Sequence, residues 1–308
     1  MPVVLGLASS HAPSLFSPAD AWPIIHRGLT KGLPQPPAFE KETPAVIQGY
    51  VDRIERAFGV LRDKVAAAKV DLLVILGDDQ NEVFSKALNP AFAVFTGETA
   101  SGSASITWVG QKLEDNHVTL RSIPAVGKAI LTGLMKRGFD LASVEEIKAA
   151  SKPAGGIGHA FARIAKVMRA EQTGVATLPL FINGYHVPQP TAARCFDLGL
   201  ALREILDARP ERIGLYASGG MSHCPLGPRA GWIDEPLDRW VLERIERGES
   251  EQLKALFTFD SDTLRSGTGE LRAWIPVAAA FRRSKATVID YIPAYHAVTG
   301  IGFAAWED

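Results

Sequence analysis

The chain has 308 residues, 46% of them apolar, and its 33 Lys and Arg nearly balance its 34 Asp and Glu. That length and apolar content allow a sizeable core within one large α/β domain. A net charge of −1 argues against a nucleic-acid or membrane surface as the main partner, because both require a basic excess. A small organic ligand or another protein fits better.

Cys195 and Cys224 form no C-x-x-C pattern. Neither a disulfide framework nor a zinc knuckle is expected, and a reducing cytoplasm is the default setting. The opening Met1-Pro-Val-Val-Leu-Gly-Leu7 lacks a basic region, and Ser9, Ser10 and His11 end its apolar run. It does not read as a signal peptide, and no stretch reaches the length of a membrane span.

In chain order, Val3 to Leu7 predicts a first strand. Residues 45–68 carry Ile47, Tyr50, Val51, Ile54, Phe58, Leu61 and Val65 at helical spacing, an amphipathic helix. Val70 to Leu76 is a continuous apolar run, the pattern of a strand buried on both faces. The stretch 85–120 mixes Phe92, Val94, Phe95, Ile106, Trp108 and Val109 with small polar residues, and predicts short strands around a flexible loop. Further strands are expected at Leu178–Ile182, Ile213–Ala217 and Val288–Tyr291, and helices near 123–137, 158–169, 190–207, 235–247 and 270–283. The Pro34-Gln-Pro-Pro37 loop is a candidate cavity rim. With no repeat and no linker, the expected architecture is a single α/β domain over 1–308. Its central sheet, mostly parallel or mixed, is flanked by helices, with the active site at the strands' carboxyl ends.

That placement rests on the residues just beyond each apolar run. Val3–Leu7 leads into Ser9-Ser10-His11-Ala12-Pro13, and Val70–Leu76 into Gly77-Asp78-Asp79-Gln80-Asn81-Glu82. Leu178–Ile182 leads into Asn183-Gly184-Tyr185-His186, and Ile213–Ala217 into Ser218-Gly219-Gly220-Met221-Ser222-His223. In open α/β sheets the crevice outside the carboxyl ends of the strands is where ligands bind. Each residue alone has a plainer role: a hydrogen-bonding histidine, an aspartate capping a helix, a glycine pair making a turn. Their shared position after four separate strands favours a site.

Glu270 joins them after Ser266-Gly267-Thr268-Gly269 and opens an apolar helix. A first-turn acid also favours the helix dipole, but a capping box needs Ser or Thr where Gly267 stands. His159 opens another helix after Gly155-Gly156-Ile157-Gly158, which is not a dinucleotide fingerprint. Nor is Gly220-Met-Ser222-His-Cys224 a nucleophile elbow, because Cys224 takes the place of its last glycine.

With these residues placed, the sequence resembles the class III extradiol ring-cleavage dioxygenases, the superfamily of the protocatechuate 4,5-dioxygenase β-subunit. Ser9-Ser-His11-Ala-Pro13 is similar to the segment bearing the family's first iron histidine. Gly219-Gly-Met-Ser-His223 with Gly227-Pro-Arg-Ala-Gly231 beyond it is similar to the segment of its catalytic histidine, and is the most specific match. Ser266-Gly-Thr-Gly-Glu270-Leu-Arg-Ala-Trp274 is similar to the segment of its carboxylate ligand, and Pro190 to Gly199 to the helix after its third loop.

The resemblance implies that His11 and Glu270 bind Fe(II), that His223 is the acid/base and that His159 contacts the substrate. The family's second iron histidine lies in an Asn-Asp-His segment with Phe four residues on. Here the segment reads Asp78-Asp79-Gln80, with Phe84 four residues on. Gln80 is then the expected ligand, although an amide oxygen is a weaker donor to a divalent iron than imidazole. Gln80 coordinating, His186 substituting for it or contacting substrate, and loss of iron all stay open.

The leading reading is a non-haem Fe(II) dioxygenase opening an aromatic diol or related phenolic ring with O2. Arg229 is a candidate for steering an acidic ring substituent. A metal-dependent hydrolase and a non-catalytic interaction protein are the alternatives. A homodimer or a small helical partner subunit is left open.

Overall fold

The computed structural model describes residues 2–85, 87–147 and 156–307. Its strands are β1 (Val3–Ser9), β2 (Leu72–Gly77), β3 (Phe92–Phe95), β4 (Thr99–Ser103), β5 (His117–Arg121), β6 (Ala142–Val144), β7 (Ala176–Ile182), β8 (Ile213–Ser218), β9 (Thr287–Ala294) and β10 (Thr299–Glu307). Its helices are α1 (Trp22–Thr30), α2 (Pro44–Ala67), α3 (Pro124–Met135), α4 (His159–Val167), α5 (Ala170–Thr173), α6 (Ala192–Leu206), α7 (Glu235–Glu246) and α8 (Leu271–Ala280). No helix among the described residues is long and apolar enough to cross a membrane.

Eight strands form one sheet in the order β6-β3-β7-β2-β8-β1-β10-β9, and β4 pairs with β5 apart from it. The four central strands β7, β2, β8 and β1 are parallel. Strand β3 runs antiparallel to β7, and β10 antiparallel to β1. The sheet is therefore mixed, with a parallel centre whose carboxyl ends share one edge.

Both faces of that centre are covered. Leu72, Val74 and Leu76 point into a core shared with α3, α6, α7 and α8, while Leu73 and Ile75 point into a second core shared with α2 and α4. This alternation is the pleat's period of two, and it explains why the strand reads as an unbroken apolar run. Helix α2 begins as its sequence dictates. Thr43 caps the Val46 N–H, Pro44 occupies the first turn, and Ile47, Ile54, Phe58 and Leu61 form the buried stripe.

The sequence expectations for the main strands and helices hold to within a few residues. Strand β10, the short β6 and helix α1 were not anticipated. In β10 the run Thr299-Gly-Ile-Gly-Phe-Ala-Ala-Trp-Glu307 is buried along nearly its whole length, so it shows no polar alternation, and its two glycines read as turn signals. The stretch 85–120 does contain short strands, but β3 belongs to the main sheet. The Pro34–Pro37 loop does not reach the cavity wall, whereas Leu29 of α1 does. Gly155, part of the glycine run before His159, lies outside the described residues.

Helices α6 and α8 touch backbone to backbone at Gly199. A Cβ there would stand 2.1 Å from the Pro276 carbonyl oxygen, and neither helix can retreat because both are packed on the sheet. Gly199→Ala is expected to destabilise the fold by about 1–3 kcal/mol, the usual cost of overpacking. Urea unfolding monitored by circular dichroism reads this as a lower midpoint, and an unchanged midpoint would show that the contact is slack.

Candidate active site

The carboxyl edge of the parallel centre opens into a cavity of about 500 Å³, within the range of small-molecule sites. His11, Gln80, Glu82, His159, Arg163, His223, Glu270 and Thr299 contribute its polar lining. Ala12, Pro13, Leu29, Trp108, Pro225, Ala297 and Val298 supply apolar wall.

His11 is delivered by the end of β1, where Ser10 bonds to β10 through Gly300 and Gly302. Its Nδ1 lies 3.0 Å from the Ser218 hydroxyl, which itself donates to the Ala160 carbonyl at 2.6 Å. A hydroxyl has one proton. Since Ser218 gives that proton to Ala160, it accepts at His11, and the His11 Nδ1 must carry the hydrogen. In the neutral ring the Nε2 lone pair then points inward, the tautomer a metal ligand needs.

That lone pair faces two carboxylates. His11 Nε2 stands 3.4 Å from Glu270 Oε2 and 3.8 Å from Asp78 Oδ1. The three donor atoms lie within 4.8 Å of one another. Asp78 and Glu270 are each only 2% exposed, and Asp78 Oδ1 is buried with no hydrogen-bond partner among the described residues. Two buried like charges repel, and an unsatisfied carboxylate oxygen is costly. Burial, reinforced by Glu270, pushes Asp78 up to about 7. A cation held between these atoms would relieve both penalties, so the residues present fit a divalent metal.

Glu270 has further partners. Its Oε2 accepts from the Gly220 N–H at 2.7 Å, and its Oε1 from Gln80 Nε2 at 3.2 Å. His223 Nε2 stands 3.3 Å from Oε1. Burial favours the neutral acid, but imidazolium charge beside it, first of all on His223, outweighs burial and holds Glu270 well below the usual carboxylate range. Gln80 Nε2 also donates to Asp78 Oδ2 at 3.0 Å, so the amide bridges the two carboxylates.

His223 Nδ1 is bonded to the Met221 carbonyl at 2.9 Å, which leaves Nε2 for Glu270 and the cavity. Burial opposes a charge on the ring, but Glu270 and that carbonyl prevail, and its pKa stands above the ordinary value. Gly267 makes room for it, because a Cβ there would fall 2.0 Å from His223 Nε2.

His159 opens α4 against Glu82, whose Oε1 accepts from both its backbone N–H at 3.0 Å and its Nδ1 at 2.6 Å. Burial alone would raise the Glu82 carboxyl, but the His159 contacts bring it to about 2. The His159 ring meets the His11 ring edge-on, with centroids 4.8 Å apart. Asp79 turns away from the site and accepts three backbone N–H groups, from Glu82, Val83 and Phe84, fixing the loop that carries Gln80.

Five predicted site residues, His11, Gln80, His159, His223 and Glu270, thus line one cavity. His186 does not. Asn183 accepts its backbone N–H and donates to its carbonyl, closing a turn that takes the side chain off the cavity wall. Arg229 is also off the wall, paired with Asp262 and lying over the Trp232 ring. Sequence reasoning left three contributors without a role. Asp78 and Glu82 were in view, but nothing in the sequence gives their directions. Thr299, whose buried hydroxyl has no partner among the described residues, sits on the unanticipated β10.

Residues 32–304 match the family described as the catalytic LigB subunit of aromatic ring-opening dioxygenase. The chain belongs to that family. Among individual relatives it is 27% identical over 223 residues to a 2,3-dihydroxyphenylpropionate/2,3-dihydroxicinnamic acid 1,2-dioxygenase of Klebsiella pneumoniae, an alignment covering 70% of this chain and 66% of the relative. It is 24% identical over 189 residues to the enzyme of that name from Photorhabdus laumondii, covering 61% and 54%. The chain therefore spans less than two thirds of these relatives' length. A solved structure, an uncharacterized protein (JW3007) of Escherichia coli K12, is similar at 14% identity and a TM-score of 0.49, covering 98% of this chain and 99% of that one.

The pairing of His223 with Glu270 has a measurable signature. A histidine raised above its unfolded value, about 6.5, adds stability that is complete below that value. The contribution is lost as pH rises through the folded pKa. In chelator-treated protein, Glu270→Gln should move the His223 midpoint to lower pH in an NMR titration of the imidazole nitrogens. An unmoved midpoint would assign the raised pKa to another group.

Proposed function

We propose that this chain is a non-haem Fe(II)-dependent extradiol dioxygenase that opens the ring of a catechol-type or related phenolic aromatic with O2. One juxtaposition carries the reading: an inward imidazole lone pair and the buried Glu270 carboxylate line a ring-sized cavity, with the buried Asp78 carboxylate within 4.8 Å of both and His223 beside them. Membership of a ring-opening dioxygenase family supports it.

When bound, Fe(II) supplies the redox partner through which O2 reacts with a diol ring. His11 and Glu270 would hold it, together with a third donor from the loop after β2. The chain's own residues do the rest. Apolar wall from Pro13, Leu29, Trp108 and Val298 sandwiches a flat ring and excludes water. Holding the ring in one pose removes much of the entropic cost of reaction.

His223 takes a hydroxyl proton at Nε2, the ring nitrogen not engaged by Met221, and can return it when the ring opens. Because Glu82 fixes the Nδ1 side of His159, its Nε2 is free to meet the substrate's second oxygen. The unpartnered Thr299 hydroxyl offers a further hydrogen bond at the same wall.

Protein loaded with Fe(II) under anaerobic conditions and mixed with a panel of catechols should consume O2 and form the yellow ring-opened product. His223→Ala should lower turnover by about 10²–10⁴-fold with iron content nearly unchanged. Ester or amide turnover without O2 uptake would overturn the proposal in favour of a metal-dependent hydrolase.

A further inference from the structure

We propose that the third protein ligand of the metal is the carboxylate of Asp78, and that Gln80, which occupies the position expected for a ligand, is a positioning residue holding the two carboxylates. This rests on the reading of the cavity floor as a metal site. The donor set becomes one imidazole and two carboxylates.

Three observations converge on Asp78. Its Oδ1 is a buried carboxylate oxygen beside the cavity-lining His11, with no hydrogen-bond partner among the described residues, on a side chain only 2% exposed. That oxygen is aimed at the inward lone pair of His11, 3.8 Å away, and His11 is 3.4 Å from Glu270 Oε2. Donors bound at roughly 2.1 Å to a first-row ion stand about 3–4 Å apart, and both distances from His11 fall in that range.

Gln80 is arranged for a different task. Its Nε2 donates to Asp78 Oδ2 at 3.0 Å and to Glu270 Oε1 at 3.2 Å. These are the outer oxygens, the ones that do not face His11. Turning the amide to present its oxygen would exchange two charge-assisted hydrogen bonds for two contacts between acceptors. An outer partner that orients two ligating carboxylates is a common arrangement around metal sites. The second buried carboxylate also makes the site more anionic than a set of two imidazoles and one carboxylate. Oxygen-rich donor sets suit Mn(II) and other hard ions better than imidazole-rich ones, so Mn(II) should bind tightly enough to serve as a spectroscopic surrogate for Fe(II).

The test is metal affinity, measured anaerobically with Mn(II) and Fe(II) by chelator competition. The proteins are the wild type, Asp78→Asn, Gln80→Ala and Glu270→Gln, each checked for folding by circular dichroism. Asp78→Asn keeps the shape and removes the charge. It should weaken binding well beyond about 100-fold, as should Glu270→Gln, whereas Gln80→Ala should cost about 10–100-fold, the usual loss on removing an outer partner.

A loss for Gln80→Ala with Asp78→Asn near wild type would overturn the assignment while leaving the metal site, and so the proposed function, in place. Wild-type affinity in Glu270→Gln as well as Asp78→Asn would remove the metal site and both proposals together. A measurement on the wild type guards against variants that fail to fold. Protein labelled with 13C at the aspartate carboxyl and loaded with Mn(II) should show a 13C hyperfine coupling by electron–nuclear double resonance, and its absence would overturn the role of Asp78.

Discussion

The buried carboxylate of Glu270 is the point on which the rest of the site depends. It sits 2% exposed at the start of α8, and three groups from two loops converge on it, the Gly220 N–H, the Gln80 amide and the His223 ring, with His11 beside them. A carboxylate that deep persists only if its charge is met from several sides. Meeting that demand draws the loops after β2 and β8 toward one place, where the end of β1 brings His11. The close approach of Gly199 to Pro276 brings α6 against α8, the helix that Glu270 opens.

Much of this was legible in the sequence because parallel strands put chemically equivalent positions at one edge. An apolar run ending in a polar loop tells both where the strand stops and where its successor residues gather, so His11, Gln80 and His223 could be placed without coordinates. The same reasoning failed for His186. It too comes after a parallel strand, β7, but the Asn183 turn takes its side chain elsewhere, and turn geometry is not encoded in apolar spacing. Strand β10 escaped because burial along its length removes the alternation that marks a strand. Thr299 went with it.

The inner arrangement was less legible still. Asp78, Asp79 and Gln80 are consecutive, yet the structure gives them three tasks: an oxygen facing His11, a cap for three backbone N–H groups, and a bridge between carboxylates. Residue type alone suggests interchangeable acids beside a neutral amide. Direction separates them, and direction is set by the backbone path after β2. The tautomer of His11 is similarly hidden, because it depends on a serine more than two hundred residues away giving its proton to a helix carbonyl.

The cavity's two sides differ in how they are built. The floor comes from strand ends and helix starts locked into the sheet, while much of the rim comes from α1 and from the segment after β4, with Trp108 half exposed above Gly28. Loops carried outside a rigid framework tolerate change far better than the framework does. The chain therefore separates what must stay constant from what can diversify. Replacing Trp108 or Leu29 reshapes the entrance without disturbing a single ligand-bearing element. Descendants of such a protein could exchange one ligand for another by editing a surface segment, leaving the buried floor untouched.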